Sequence, residues 1–218
     1  MQKEDRKFSR LRDRLVDELR EKGIHDERVL KAIGAVPRHL FVEQAFQHRA
    51  YEDEALPIGL KQTISQPFTV AYQTMKLDPQ RNENVLEIGT GSGYQAAVLC
   101  EMGARVYSIE RHEPLYQRAK KILSSLRYRV VSKCGDGTLG WPAFAPFDKI
   151  LVTAGALGVP EEVLEQLKDP GGLLVIPVGD QEGQVMKHIT RTGPTSYEEE
   201  NTKSFRFVPL IGEGKLRK

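Results

Sequence analysis

The stretch from Asn84 to Gln95, which reads Asn-Val-Leu-Glu-Ile-Gly-Thr-Gly-Ser-Gly-Tyr-Gln, decides how the rest of the chain is interpreted. Its apolar residues, Val85, Leu86 and Ile88, form a short run that is typical of a buried parallel strand. Glycines follow at every second position of residues 89–93, and a segment with the composition of a helix comes next. This order predicts the opening of a nucleotide-binding βαβ unit, in which the backbone turns sharply beside a ligand.

Three interpretations of the glycine loop are open at this point. Residues 91–96, Gly-x-Gly-x-x-Ala, fit a dinucleotide pattern and indicate an NAD-type cofactor. The longer pattern Glu-x-Gly-x-Gly-x-Gly, which begins at Glu87, is similar to motif I of the class I methyltransferases and favours S-adenosylmethionine. A carboxylate beside the loop suits a ligand with a sulfonium and an ammonium group better than it suits a pyrophosphate. The third interpretation is a tight strand-to-helix turn without a ligand.

Length and composition are those of an ordinary globular protein. The chain has 218 residues, of which 28% are charged and 39% hydrophobic, and its formal net charge is +2. We expect a single domain over residues 1–218, with a helical cap at 1–78 that contributes to substrate and cofactor binding and a Rossmann-like core at 79–218. The small net charge predicts neither a nucleic-acid nor a membrane partner, and we expect a monomer.

The cysteines and histidines give no sign of a metal site. Cys100 and Cys134 lack the spacing of metal ligands, so we expect two buried thiols in a reducing compartment. The chain contains no apolar run of membrane-spanning length and begins with a charged segment, which predicts a cytoplasmic location. The five histidines are scattered and predict no metal; they are His25, His39, His48, His112 and His188.

The N-terminal third predicts helices. Apolar residues recur at helical spacing from Phe8 to Leu19, which indicates an amphipathic helix that ends near Gly23. Asp26 is expected to cap a second short helix, and residues 41–46 to form a third helical turn. We expect these helices to cover one end of a sheet.

The segment from residue 51 to residue 67 has a different composition, rich in glycine, proline and hydroxyl groups, and predicts a loop. Pro67 suits the first position of a helix that runs to Leu77, so Ser65 or Gln66 is expected to be its N-cap. A second interpretation is that Thr63 and Ser65 present their hydroxyls to an anionic group of a substrate. Both interpretations of Ser65 stay open on the spacing alone.

Strands and helices alternate after the glycine loop. Glu110 ends the second strand, at the place where an acidic residue binds ribose hydroxyls in nucleotide-binding folds. Asp136 lies between two glycines, which usually marks a turn, but its place after the third strand suggests contact with an adenine amino group. We expect an α/β fold with a doubly wound, Rossmann-like sheet, mostly parallel but with antiparallel C-terminal strands. The later strands are predicted at residues 105–109, 128–132, 147–152, 173–178, 184–191 and 203–210, and the helices at 113–126 and 160–167.

With the loop at residues 62–67 and the glycine loop taken together, the chain resembles the protein-L-isoaspartate O-methyltransferase family over nearly its whole length. Motif I is common to many methyltransferases, whereas the loop Gln-Thr-Ile-Ser-Gln-Pro at residues 62–67 is specific to this family. The matching stretches are residues 36–38, 41–42, 55–59, 62–67, 85–94, 135–137, 145–148, 152–154, 171–172, 176–179 and 206–210.

The resemblance implies a repair enzyme. Family members methylate the misplaced α-carboxyl group of an L-isoaspartyl residue in a protein or peptide, and the ester then closes to a succinimide that hydrolyses partly to aspartate. The resemblance implies that Ser65 is the active-site residue. It also implies that S-adenosyl-L-methionine is the cofactor that donates the methyl group and that S-adenosyl-L-homocysteine is left as product. The implied cofactor residues are Thr63, Ser65, Glu87, Gly89, Thr90, Gly91, Gly93, Glu110, Arg111, Asp136 and Gly137. The implied substrate residues are Ile64, Ser65, Pro67, Ala154 and Val208.

Two departures from the family pattern concern the substrate side. Lys61 stands where the family usually has glycine, and Leu157 where it usually has proline. Two rival functions also remain: a methyltransferase for a small molecule or RNA, and a cofactor-binding module without catalysis. The absence of a basic stripe is evidence against RNA, and Ser65 together with the acidic residues is evidence against a non-catalytic module.

Overall fold

The computed structural model describes residues 2–180 and 182–217 of the chain. Its helices are α1 (Gln2–Glu21), α2 (Glu27–Ala35), α3 (Pro67–Leu77), α4 (Tyr94–Glu101), α5 (Glu113–Ser125) and α6 (Glu161–Glu165), with 3-10 turns at residues 38–41, 44–49, 137–139 and 142–144. Its strands are β1 (Leu56–Gly59), β2 (Gln62–Ile64), β3 (Asn84–Ile88), β4 (Arg105–Glu110), β5 (Val130–Cys134), β6 (Lys149–Val152), β7 (Val159–Pro160), β8 (Leu173–Asp180), β9 (Gly183–Arg191), β10 (Tyr197–Phe205) and β11 (Leu216–Arg217).

The central sheet has seven strands in the order β10-β9-β8-β6-β3-β4-β5. The five strands from β8 to β5 in this order are parallel to one another, and β9 and β10 are antiparallel. Because β3 lies between β6 and β4, the chain winds outward from it in both directions. The predicted doubly wound sheet, mostly parallel with antiparallel C-terminal strands, is therefore confirmed.

Both faces of the sheet are covered by apolar side chains. Successive residues of a strand point to opposite faces, so Val85 packs in one cluster with the N-terminal helices, while Leu86 packs in the other with α6. The predicted N-terminal helical layer is confirmed, since Leu15 and Leu30 are fully buried in the first cluster. Asp26 caps α2 as predicted, because its carboxylate accepts a hydrogen bond from the Arg28 main-chain nitrogen at 2.9 Å.

Three predictions of local structure were wrong. The segment predicted as a loop contains the hairpin of β1 and β2, in which Leu60 and Lys61 form the turn. The last strand of the sheet is β10 and not residues 203–210; it was missed because this edge strand is exposed and lacks apolar alternation. Cys100 and Cys134 are half-buried free thiols, since each lies near an exposed end of its element. Other strand and helix ends differ from the prediction by a few residues, as is usual.

Candidate active site

A cavity opens where the parallel strands β3, β4 and β6 end. In doubly wound sheets a ligand binds outside the carboxyl ends of the strands, where the winding direction reverses, and β3 is that point here. Eleven of the predicted site residues line this cavity, which we call the cofactor cavity: Thr63, Ile64, Ser65, Gly89, Thr90, Gly91, Glu110, Arg111, Gly137, Ala154 and Val208. The structure therefore brings together segments from the N-terminal layer, the glycine loop and the C-terminus.

The glycine loop has a conformation that other residues rarely adopt. Gly89 has a φ of 99°, and a Cβ atom there would lie 2.5 Å from the Thr153 hydroxyl oxygen. That hydroxyl donates a hydrogen bond to the Gly89 carbonyl at 2.6 Å, which holds the end of β3 against the end of β6. Gly93 has a φ of 88° but faces α5, where a Cβ would lie 3.2 Å from Leu123. Gly93 therefore permits helix packing and does not line the cavity.

Three main-chain N–H groups at the start of the glycine loop already donate hydrogen bonds within the protein. Those of Gly89 and Thr90 donate to the Ile109 carbonyl at 2.9 and 3.2 Å, and that of Gly91 donates to the Glu110 carboxylate at 2.7 Å. A pyrophosphate needs free N–H donors at such a loop, and a carboxylate beside it repels the ligand. This geometry is evidence against the NAD-type alternative and favours a cationic ligand.

Glu110 is the carboxylate that faces the cofactor cavity. One of its oxygens accepts from Gly91 and the other from the His112 main-chain nitrogen at 2.9 Å. Each carboxylate oxygen has further lone pairs, so Glu110 retains the capacity to accept hydrogen bonds from two ligand hydroxyls. This is the arrangement that recognition of a ribose requires.

Glu87 is buried behind the glycine loop and is not among the residues that line the cavity, so its predicted contact with the cofactor stays a prediction. Its side chain is fully buried and accepts a hydrogen bond from the Ser108 hydroxyl, which is 2.5 Å from the Thr90 hydroxyl. Burial raises the pKa of Glu87 to about 8, partly opposed by the Ser108 hydrogen bond. The carboxyl group is therefore mostly neutral at pH 7 and supports the loop from beneath.

Asp136 also lies outside the residues that line the cavity, although its neighbour Gly137 lines it, so the predicted contact with adenine stays a prediction. Its carboxylate accepts hydrogen bonds from the Thr138 nitrogen and hydroxyl, at 2.9 and 2.7 Å, and from the Glu213 nitrogen at 2.7 Å. Burial raises the pKa of Asp136, but these hydrogen bonds outweigh burial and hold the pKa below its usual range. Asp136 thus fastens the C-terminal segment, and Arg111 does the same by donating to the Ile211 carbonyl at 3.0 Å.

Ser65 lies between the cofactor cavity and a second opening, which we call the substrate cleft. Both are lined by Ser65, Thr63, Thr153 and Val208, and the cleft continues along Phe68 and the end of β10. Within the described ranges the Ser65 hydroxyl has no hydrogen-bond partner. Pro67 begins α3 as predicted but lies outside both sets of lining residues.

Comparison with known proteins decides between the remaining functions. The family model described as protein-L-isoaspartate(D-aspartate) O-methyltransferase matches residues 10–215. This chain belongs to that family. Membership confirms the predicted enzyme class, a protein-L-isoaspartate methyltransferase, and the predicted cofactor S-adenosyl-L-methionine.

Individual relatives agree with the family match. The protein-L-isoaspartate O-methyltransferase of Salinibacter ruber is 61% identical, and the match covers 96% of this chain and 95% of that protein. The corresponding protein of Cytophaga hutchinsonii is 54% identical over 93% of this chain and 91% of its own. A solved structure with the name protein-L-isoaspartate O-methyltransferase has a TM-score of 0.84 at 30% identity, over 92% of this chain and 66% of that one. A Plasmodium falciparum structure in complex with S-adenosyl-L-homocysteine has a TM-score of 0.82 at 22% identity, which shows the shared fold.

The two departures from the methyltransferase pattern lie at different places. Lys61 is in the turn of the β1–β2 hairpin with a φ of 59°, in the left-handed region that favours glycine. Leu157 is 76% exposed and lines neither the cofactor cavity nor the substrate cleft. The expected effect of Leu157 on substrate binding therefore has no support in the described part of the chain.

Sequence reasoning missed three residues that shape the methyltransferase site: Arg38, Asp53 and Thr153. Arg38 is fully buried and donates to the Ser65 carbonyl at 2.9 Å. Asp53 accepts from the Phe68 nitrogen, and Thr153 holds Gly89. None of the three stands out from its neighbours in the sequence. Arg38 and Thr153 lie in stretches that match the family, at residues 36–38 and 152–154, but that match gave them no role.

The described residues contain neither a cluster of metal ligands nor a helix able to span a membrane. Across residues 2–180 and 182–217, histidine, cysteine and acidic side chains form no group of three that holds a metal ion. In the same ranges, no helix combines the length and the apolar character needed to cross a bilayer.

Proposed function

We propose that this methyltransferase acts on the α-carboxylate of L-isoaspartyl residues in damaged proteins and peptides, with Ser65 holding that carboxylate. One observation carries the proposal: the free Ser65 hydroxyl lies at the boundary between the cofactor cavity and the substrate cleft. A group bound there is within reach of both openings. The methyl ester formed would close to a succinimide and hydrolyse partly to aspartate, which begins repair.

The residues around the cofactor cavity fit S-adenosylmethionine. The cradle is kept open by glycines, since a Cβ on Gly137 would lie 2.3 Å from an Ile88 methyl group. Glu110 supplies acceptors for ribose hydroxyls, and its charge suits a cationic ligand. Apolar residues of the C-terminal segment, Pro209 and Leu210, form a wall that excludes water from the bound cofactor. We propose that the predicted cofactor residues that line the cofactor cavity contact S-adenosylmethionine directly. Glu87, Gly93 and Asp136, which do not line it, would instead support the residues that do.

When bound, S-adenosylmethionine supplies an electrophilic methyl group on its sulfonium, and the methyl carbon passes to a carboxylate oxygen while sulfur keeps the bonding electrons. The protein has no proton to remove, because an α-carboxyl group with a pKa of about 3.5 is ionised at neutral pH. Ser65 donates a hydrogen bond to the carboxylate oxygen that does not react and so orients the other. Proximity and orientation of this kind lower the activation free energy by several kcal/mol, and by about 7–11 kcal/mol in the best-oriented intramolecular reactions.

The remaining features of the proposal concern the whole chain. We propose one domain over residues 1–218, because a single apolar cluster joins α1 and α2 to α4 and β3. We also propose a monomer in the cytoplasm that has no nucleic-acid or membrane partner. The near-neutral net charge of +2 and the two free cysteines support these statements.

The first experiment is labelled methyl transfer from S-adenosylmethionine to a peptide that contains L-isoaspartate. The control is the same peptide with L-aspartate, in which the α-carbonyl forms the main-chain amide and the free carboxylate is on the side chain. We expect transfer to the first peptide alone. Cofactor binding without transfer to either peptide would instead favour a non-catalytic module or a methyltransferase for a different carboxylate.

The second experiment tests the role of Ser65. Ser65→Ala is expected to lower kcat for the isoaspartyl peptide by about 10-fold to 100-fold, because one charge-assisted hydrogen bond is lost. Its Kd for S-adenosylmethionine should remain near that of the wild type. Ser125→Ala is the matched control, since Ser125 donates to the Ile122 carbonyl on the exposed end of α5 and should have no effect. An equal loss of cofactor affinity would contradict the assignment.

A further inference from the structure

Arg38 is a fully buried cation in the N-terminal layer. Its exposed fraction is 0%, and no carboxylate lies within ion-pair distance of its guanidinium in the described part of the chain. Removing a cation from water without a paired anion is costly, so a residue of this kind is retained only where its hydrogen bonds matter. The contacts of Arg38 therefore indicate what it does.

The hydrogen bonds of the guanidinium go to main-chain carbonyls of one segment. Its Nε donates to Ala50 at 2.8 Å, and its Nη2 donates to Ser65 at 2.9 Å and to Glu54 at 3.3 Å. The carbonyls of Ala50 and Glu54 lie before the β1–β2 hairpin, and that of Ser65 lies directly after it. The planar fork of the guanidinium thus fixes both ends of this segment relative to each other.

The face of the same guanidinium contacts the cofactor side of the site. Its central carbon lies 4.8 Å from the centre of the Tyr94 ring, a distance at which a cation is attracted to the ring. Tyr94 is the first residue of α4, directly after the glycine loop, and it lines the cofactor cavity. Arg38 is therefore in contact with the main chain of Ser65 and with the wall that would hold the cofactor.

We propose that Arg38 is a positioning residue that sets the separation between Ser65 and the cofactor cavity. This inference rests on the proposed function, because the separation matters only if Ser65 holds the accepting carboxylate. Arg38 lines neither the cofactor cavity nor the substrate cleft, and it acts through the Ser65 carbonyl and the Tyr94 ring. Lysine cannot replace it, since a single ammonium group does not reproduce the fork or the stacked plane.

The test uses the full-length variants Arg38→Lys and Arg38→Met, of which the first keeps the charge. For each we would measure kcat and KM for the isoaspartyl peptide and the Kd for S-adenosylmethionine. We expect kcat to fall by about 100-fold in both, because misplacement of reacting groups by about 1 Å costs that much. KM and Kd should stay within about threefold of the wild type, because the binding surfaces themselves are intact.

A control variant separates positioning from loss of stability. Leu30→Ala removes a buried side chain from α2 in the same helical layer, and Leu30 lines neither opening. At a temperature where all variants are folded by circular dichroism, Leu30→Ala should retain the wild-type kcat. A third variant, Arg38→Ala, should recover part of its kcat in millimolar methylguanidine, which restores the fork, and Leu30→Ala should not respond.

The outcomes are distinguishable. Absence of transfer by the wild-type enzyme would overturn the proposed function and this inference with it. Transfer by the wild type together with an unchanged kcat in folded Arg38→Lys would overturn this inference alone. A kcat loss matched by Leu30→Ala, or one that follows the Kd for the cofactor, would also overturn it, because Arg38 would then serve only the stability of the fold or of the cavity.

Discussion

The Asp53 carboxylate accepts a hydrogen bond from the Phe68 main-chain nitrogen at 2.7 Å, so helix α3, which begins two residues after Ser65, is capped by an earlier loop. The other Asp53 oxygen accepts from the Gln66 side chain at 3.0 Å and pairs with Lys22 at 2.6 Å. Because Asp53 satisfies the helix start, the Ser65 hydroxyl is not needed as a cap. The sequence left open whether Ser65 caps α3 or presents its hydroxyl to a ligand. The N-cap position is held by Gln66, which makes no side-chain capping bond, so the Ser65 hydroxyl does not cap the helix and is available to a ligand.

Replacement of Asp53 should affect both stability and catalysis. Asp53→Ala leaves the Phe68 nitrogen without its partner and removes one of the two carboxylates that pair with Lys22, the other being Glu18. We expect the free energy of unfolding to fall by about 1–3 kcal/mol, measured by urea denaturation. We also expect a lower kcat, because the start of α3 shifts. The matched control is Asp26→Ala, which removes the cap of α2. A similar loss of kcat in that variant would show that Asp53 has no special relation to the site.

The turn at Lys61 should be stabilised by the residue that the family usually has there. Lys61→Gly relieves a left-handed conformation that costs a side-chain-bearing residue about 1 kcal/mol or more, partly offset by the greater freedom of glycine in the unfolded chain. We expect a net gain of about 0.5–1 kcal/mol in the free energy of unfolding. Lys121→Gly, in the middle of α5, is the control of opposite sign and should lose about 1 kcal/mol. A loss of stability in Lys61→Gly would mean that the turn is not strained.

Glu110 should determine cofactor affinity. Glu110→Gln replaces one acceptor by an amide donor that faces the N–H group of Gly91 or of His112, and it removes the negative charge. We expect the Kd for S-adenosylmethionine, measured by calorimetry, to rise by about 10-fold to 100-fold. Glu113→Gln, at the exposed start of α5, should leave the Kd unchanged. An unchanged Kd in Glu110→Gln would exclude this residue from the cofactor contacts.

The sequence allowed prediction of features that depend on near neighbours. The strand and glycine loop at residues 84–93, the Asp26 cap and the Pro67 helix start each follow from the preferences of a few adjacent residues, and the structure has them all. The roles that were missed depend on partners far away in the chain. Asp136 was predicted to contact adenine because it follows a strand, and the structure adds a hydrogen bond that its carboxylate accepts from the Glu213 main-chain nitrogen, 77 residues later. No local pattern encodes such a contact.

The protonation state of Glu87 also depends on distant parts of the chain, which bury it, and it predicts how the free energy of unfolding changes with pH. Its strand position suggested a charged group at the ligand, but burial raises its pKa from 4.5 to about 8 in the folded protein. Between these two values the folded state holds a proton that the unfolded chain has released. The free energy of unfolding must therefore decrease as pH rises through this window, by at most about 1.4 kcal/mol per pH unit. The stability that the neutral carboxyl contributes is complete below pH 4.5 and lost above about pH 8.

Glu87→Gln isolates this effect, because glutamine has nearly the same shape and does not titrate. We would measure the urea denaturation of wild type and variant without cofactor at several values between pH 5.5 and pH 7.5, a range of about two units within the window. The stability of the wild type relative to the variant should fall by about 2 kcal/mol across that range. Glu165→Gln, which changes an exposed glutamate at the end of α6, should show a constant difference from the wild type. A constant difference for Glu87→Gln as well would mean that Glu87 is ionised in the folded protein, and its carboxylate would again be available to a cationic ligand.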